Sequence, residues 1–140
     1  MAKILGLGGV FFKATDADAL RAWYRDVLGL EIQDWGGALL FNDPAPAKTY
    51  GVFAVFEAST KYLEPSPKPF MVNLRVDDLD ALLALVRERI VGRAGQVLDR
   101  REESADGRFG YVVDPEGTLL ELFQPPSAPP AWQPAEPSTL

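Results

Sequence analysis

Cysteine and histidine are both absent from the 140-residue chain, which excludes disulfides, thiolate and imidazole metal ligands, and nucleophilic arrangements built on Cys-His or Ser-His. Basic residues are in the minority, 14 Lys and Arg against 20 Asp and Glu, for a net charge of -6. No basic cluster stands out that could neutralise a phosphate backbone, so nucleic acid is not expected as a partner. Long apolar runs are missing too. None approaches the ~20 residues of a membrane span, and the opening MAKILGLGGVFF is too short and Gly-broken for a signal peptide; no membrane partner and a cytoplasmic location are expected. Any metal held by this chain alone would need oxygen ligands. What remains for chemistry is carboxylates, Lys, Arg, Tyr, Ser and Thr.

The composition, 47% hydrophobic and 24% charged, suits one compact domain or two small modules sharing a core. The chain repeats itself. KATDADALRAWYRDVLGL lies over RVDDLDALLALVRERIVG, with Asp18, Ala19 and Leu20 recurring as Asp80, Ala81 and Leu82. Each copy follows an alternating stretch: Val10, Phe12 and Ala14 against Gly9, Phe11 and Lys13 in the first, Val72, Leu74 and Val76 against Met71, Asn73 and Arg75 in the second. Period two predicts strands and the following period predicts helices. Thr15 or Asp16 caps the first helix and Gly29 ends it; Asp77 or Asp78 caps the second and Gly92 ends it. Leu20, Trp23, Tyr24 and Val27 at helical spacing read as core.

Strand-like sequence follows each helix. LEIQDW, GALLFN and YGVFAVFEAS come after the first; GQVLDRREES, GRFGYVVD and TLLELFQ come after the second, with DPEG as the turn of a final hairpin. Each half therefore reads β-α-β-β-β. The fold class is α+β: two βαβββ modules, residues 4–60 and 70–126, pairing into a curved, cavity-forming mixed sheet. Residues 61–69 form the linker, expected to be plain and exposed, with Lys61 and Tyr62 as a lid in the alternative. Residues 127–140 are a Pro-rich tail, extended unless Trp132 docks on a partner subunit. No Gly-rich segment has the spacing of a phosphate loop, and the GLGG glycines suit close strand packing or a widened cavity.

Glu121 is the candidate that stands out. In TLLELFQ, alternation puts Leu119, Glu121 and Phe123 on one face and Leu120 and Leu122 on the other. A carboxylate among such neighbours needs a polar cavity, a cation, a metal or water. Asn73 and Arg75 share the face of Met71, with Lys13 in the corresponding place of the first module; Arg75 and Lys13 could hold an anionic group. Phe11, Phe56 and Phe123 fall on that face, and Phe12 and Phe53 on the helix side. The plainer alternative leaves Glu121 as a solvated strand-end carboxylate or an ion-pair partner.

The segments GGVFFKATDADALRAWYRDVLGLEI, VNLRVDDLDALLALV and DGRFGYVVDPEGTLLELFQPP resemble the vicinal oxygen chelate superfamily, which includes glyoxalase I, extradiol dioxygenases and bleomycin-resistance proteins. The resemblance runs from about residue 4 to residue 126 and implies the glyoxalase/bleomycin-resistance/dioxygenase fold. Metal-dependent members take four ligands from the first and last strands of each module. Matched by position, those places fall on Gly9, near Ala54, on Met71 and on Glu121, so one ligand in four is present and no metal or other cofactor is expected. The resemblance implies a metal-free protein that binds a small organic molecule in the sheet cavity, with Glu121 able to exchange a proton and Asn73, Arg75, Met71, Phe11, Lys13 and Phe123 around the ligand. The alternative is a lyase, isomerase or dioxygenase using Glu121 as base or metal ligand; a purely structural module would instead have its cavity filled by side chains. A homodimer is expected.

Overall fold

The computed structural model describes residues 1–41 and 50–127. Within them the chain forms β1 (Ile4–Ala14), α1 (Ala17–Leu28), β2 (Gly37–Phe41), β3 (Tyr50–Glu57), β4 (Phe70–Val76), α2 (Leu79–Arg89), β5 (Gln96–Ser104), β6 (Gly107–Val113) and β7 (Leu119–Gln124). The Pro-rich tail from residue 128, with Trp132, and the NDPAPAKT stretch lie outside the described residues.

Acidic caps set both helix starts. Asp16 Oδ1 accepts from the amide of Ala19 at 3.0 Å and Asp78 Oδ1 from that of Ala81 at 3.1 Å, each satisfying an amide that the first turn leaves without a partner. Gly29 ends α1 at φ 74°, a left-handed conformation that costs glycine little. Gly92 does not play that part for α2, which stops at Arg89 with Ile90 as a right-handed cap. Asp77 turns away from the helix and accepts from the amide of Lys3 at 2.8 Å. Asp78→Ala should therefore lower stability by about 1 kcal/mol, roughly 4 °C in Tm, whereas Asp77→Ala should leave α2 intact; thermal unfolding followed by circular dichroism measures both.

The seven strands make one mixed sheet in the order β2-β3-β1-β4-β7-β6-β5. β1 and β4 pair antiparallel at the centre, and each has its own module's last strand beside it in parallel, β3 on β1 and β7 on β4. The second module is β-α-β-β-β as expected. The first is one strand short: LEIQDW forms no strand. Its backbone bonds are spent locally, with the Gln33 amide on the Gly37 carbonyl at 2.7 Å and the Gly36 amide on the Gln33 carbonyl at 2.9 Å, and Gly36 at φ 100° turns the chain.

Alternation sorts the side chains into two layers. On one face α1 places Ala17, Leu20 and Tyr24 over Phe12, Ala14, Phe53 and Val55, and α2 places Leu79, Leu82 and Leu83 over Val76, Val112 and Leu122. Each fully buried Leu or Val contributes about 1.5–3 kcal/mol. Trp23 and Val27 do not join this core; they are 48% and 59% exposed, because the buried stripe of α1 is narrower than the run of apolar positions. The opposite face carries Phe11, Ala54, Met71, Tyr111 and Leu119 around Leu63 of the linker. This face is concave: one buried cluster around Leu63 draws on β1, β3, β4, β6 and β7.

β5 is the sheet margin of the second module and carries five consecutive charged residues, Asp99 to Glu103. Two neighbouring arginines tie it and β6 to α2. Asp80 accepts from Arg101 and from Arg108, each at 2.7 Å.

Candidate functional site

Glu121 is 1% exposed. The parallel register of β4 and β7 sets Asn73 directly beside it, and the hairpin of β6 and β7 sets Tyr111 on the other side. The turn that fixes this hairpin is built by Asp114, whose Oδ1 accepts from the amides of Glu116 at 2.8 Å and Thr118 at 3.0 Å, with Gly117 at φ 86°. Asn73 Nδ2 donates to Glu121 Oε1 at 2.7 Å, and the Tyr111 hydroxyl donates to Glu121 Oε2 at 2.8 Å. A third donor comes from the linker: the Tyr62 hydroxyl makes a short bond to the same Oε2. The expectation of a plain exposed linker fails here. Lys61 is exposed, but Leu63 is 0% exposed and Tyr62 is half-buried, so the linker folds over the concave face.

Glu102 of β5 joins the cluster. Its Oε2 lies 2.6 Å from the Tyr111 hydroxyl and 3.2 Å from the Tyr62 hydroxyl, so Glu102 and Glu121 share the single Tyr111 proton as alternative acceptors, and the two hydroxyls are 2.8 Å apart. Arg100 covers the group, its guanidinium 4.4 Å from the Tyr62 ring centroid and 4.0 Å from that of Tyr111. It also donates to the Tyr62 carbonyl at 2.7 Å and approaches Glu102 at 3.6 Å.

Burial holds the Glu121 carboxyl above the ordinary glutamate range, outweighing the hydrogen bonds from Tyr62, Tyr111 and Asn73 that pull it down; Glu102 nearby adds to the rise. The hydroxyls of Tyr62 and Tyr111 are pushed well above the usual phenol range, first by burial and then by the Glu121 charge. Both therefore stay neutral donors.

Two further features shape the site. Asn73 Oδ1 is buried without a hydrogen-bond partner among the described residues, an acceptor facing no donor. The register slips between Leu7 and Gly9, so Gly8 is an extra residue opposite Asn73. A Cβ on Gly8 would stand 1.9 Å from Asn73 Oδ1, and one on Gly9 would stand 2.3 Å from the Val52 carbonyl oxygen. This β-bulge has no side chains of its own and leaves the space that Asn73 fills.

Of the other residues expected around a ligand, Phe11 and Met71 pair across β1 and β4 in the apolar cluster and are 8% and 1% exposed. Phe123 stacks on Phe109 with centroids 5.0 Å apart. Arg75 and Lys13 stand at opposite ends of the concave face. Arg75 lies across from Gly6 and reaches the Tyr50 carbonyl at 3.5 Å, while Lys13 lies beside Phe56. Six or seven strand residues separate the ends, about 20 Å, so the two cations do not converge on one anion. Sequence reasoning marks neither Arg100 nor Glu102 nor Tyr111, and it offers Tyr62 only as part of a lid in the alternative. The DPEG hairpin was a signal for Tyr111, which pairs with Glu121 across it; for Tyr62 there was only the lid alternative.

The residues do not fit a resident divalent metal. Gly9, Ala54 and Met71 bring no oxygen or nitrogen donor from their side chains, and no three His, Cys, Asp or Glu residues converge among the described residues.

A curved mixed sheet with paired central strands, two helices on its convex side and a carboxylate in its concave side defines a protein of the glyoxalase/bleomycin-resistance/dioxygenase class. The glyoxalase-like domain family matches residues 9–123, and the chain belongs to it. No curated protein sequence matches. Among solved structures, methylmalonyl-CoA epimerase from Mycobacterium tuberculosis is similar at 24% identity and TM-score 0.58 over 90% of each chain. A Streptomyces coelicolor methylmalonyl-CoA epimerase variant in complex with 2-nitronate-propionyl-CoA is similar at 19% identity and TM-score 0.64, over 90% of this chain and 98% of that one. A glyoxalase/bleomycin resistance protein/dioxygenase superfamily member from Vibrio splendidus is similar at 16% identity and TM-score 0.54, over 89% and 99%. At these identities the likeness is one of fold. No helix among the described residues is long and apolar enough to cross a membrane.

Proposed function

We propose that the protein binds a small organic molecule on the concave face of its sheet, without a metal, and that Glu121 is the group to which the ligand donates a hydrogen bond. The observation that carries this reading is the company Glu121 keeps. Three neutral donors, from β4, β6 and the linker, surround a buried carboxylate that, among the described residues, has no cation on it. A structural ion pair would have placed an Arg or Lys there. Beside it Asn73 holds Oε1, and Phe11, Met71 and Tyr111 form an apolar wall.

A thermal-shift screen of small polar aromatics and amides tests this, with Glu121→Gln as the discriminating variant. A hit should lose about tenfold or more in affinity in Glu121→Gln, about 1.4 kcal/mol, while the variant stays folded. Hits that bind both proteins equally overturn the reading, as does stoichiometric transition metal in protein purified without chelator.

A second reading, an enzyme of the lyase, isomerase or dioxygenase kind, is favoured by one feature: two tyrosine hydroxyls link the buried Glu121 to Glu102, whose side chain is 45% exposed. Such a chain can carry a proton between a sealed base and solvent. Two of the structural neighbours above are epimerases. Solvent-deuterium incorporation into carbon acids such as methylmalonyl thioesters, lost in Glu121→Gln, supports this reading over simple binding. Association into a homodimer, favoured by exposed Leu5, Leu7 and Val10 on β1, is tested by sedimentation over a range of concentrations.

A further inference from the structure

We propose that Tyr62 is a built-in occupant of a phenol-shaped subsite, and that a neutral hydroxyaromatic molecule binds this protein by taking its place. The inference rests on the binding reading above and names the ligand class for the same face of the sheet.

The surroundings of Tyr62 are those of a recognised ligand more than of a core residue. Its ring meets Phe56 edge-on at 5.6 Å and Tyr111 edge-on at 6.1 Å. Arg100 lies over the ring face at 4.4 Å, an arrangement that selects an electron-rich ring. Its hydroxyl meets carboxylates from two different strands, Glu121 and Glu102, and the hydroxyl of Tyr111. A plug that only fills space needs none of this: the next residue, Leu63, does that work at 0% exposure with an apolar side chain. Sealing a carboxylate such as Glu121 for the sake of a structural tyrosine is costly, and apolar packing of equal volume would serve stability better.

The parts also divide by element. Glu121, Tyr111, Arg100 and Glu102 all stand on paired strands of the sheet, whereas Tyr62 rides on the linker between β3 and β4. The linker is fixed independently of the Tyr62 ring. Leu63 is seated in the apolar cluster, Arg100 holds the Tyr62 carbonyl at 2.7 Å, and Lys68 Nζ donates to Thr118 Oγ1 at 2.7 Å. Rotation about the Tyr62 Cα–Cβ bond thus empties the subsite while its neighbours stay in place. The bound molecule then supplies the ring to Phe56, Tyr111 and Arg100 and the hydroxyl proton to Glu121. Because the ring competes with any ligand, affinity in the intact protein is lowered by the small fraction of time that Tyr62 is out.

The test uses the full chain, its Tyr62→Ala variant, and p-cresol, which is the tyrosine side chain itself, with toluene as the hydroxyl-free control. Calorimetry or ligand-observed NMR should find p-cresol binding to Tyr62→Ala about tenfold or more tightly than to the unaltered protein, and toluene about fivefold or more weakly than p-cresol. Saturating p-cresol should also shift the Tyr62 ring resonances of the unaltered protein. If Tyr62→Ala folds poorly alone, recovery of its cooperative melt by p-cresol and not by toluene is the expected result, and no recovery overturns the proposal. Equal affinity of p-cresol for the two proteins, or no preference for p-cresol over toluene, overturns it too. The binding reading fails separately: if p-cresol fails but another molecule binds in a Glu121-dependent manner, only the ligand class is wrong, and if nothing binds in that manner the reading itself falls.

Discussion

Glu121→Ala is expected to lower the unfolding free energy by about 3–5 kcal/mol at neutral pH, the largest loss from any single truncation in the site. The carboxylate takes hydrogen bonds from Asn73, Tyr62 and Tyr111, so its removal opens a void, leaves the Asn73 amide without its acceptor and leaves the two tyrosine hydroxyls only Glu102 and each other. Glu121→Gln keeps the volume and one carbonyl acceptor and should cost less than half as much. Chemical denaturation of both variants at constant m-value checks the contrast. The carboxyl also carries a pH signature of known sign. Its folded-state value lies above the ordinary range, chiefly through burial, so the folded protein keeps this proton where the unfolded chain has released it. The stability that this proton contributes is fully present below the unfolded glutamate value of ~4.3 and is lost as pH rises through the folded value. Glu121→Gln should flatten that decline, and a decline of equal slope in the variant would place its origin elsewhere.

Gly9→Ala is the second large effect, expected at about 3 kcal/mol or more. Its new Cβ would meet the Val52 carbonyl oxygen at 2.3 Å and the carbonyl carbon at 3.0 Å. These are backbone atoms of the neighbouring strand, so the β1–β3 pairing itself must give way. Gly8→Ala collides more closely on paper, 1.9 Å from Asn73 Oδ1, yet the obstacle is a side chain that can turn aside. Its cost is the Asn73–Glu121 hydrogen bond, about 1–2 kcal/mol. The pair thus separates two roles that adjacent glycines play: Gly9→Ala should act mainly on the melting temperature, and Gly8→Ala mainly on ligand affinity. Equal Tm losses for the two would contradict the register described for β1.

Much of this architecture can be read in the residues, and the reasons for the misses are physical. The duplicated strand-helix motif survives in the sequence because both copies must bury the same faces, so Asp16 and Asp78 announce the helices and alternation assigns Phe11 and Phe12 to opposite layers. The position of Glu121 follows from the same rule. LEIQDW looked like a strand because four to six residues of mixed polarity carry too little periodicity to outweigh the DWGG turn behind them. Trp23 and Val27 looked buried because helical spacing tells which residues share a side but not how wide the covered stripe is. Tyr62 was the hardest to place: a linker's path depends on what the finished sheet offers it, in this case a buried acceptor and the Arg100 guanidinium, and both belong to strands far away in sequence.

The charge run on β5 has a consequence for life in concentrated solution. A nine-residue strand that is outermost in the sheet among the described residues is a template onto which other chains can add, and charged side chains are a common defence against it. Asp99 to Glu103 crowd both signs onto that rim, so any stranger docking there would have to match the whole sequence of charges in register. The protein should therefore resist fibrillar growth from this side, and replacing Arg101 and Glu103 by Thr would be the way to expose the hazard.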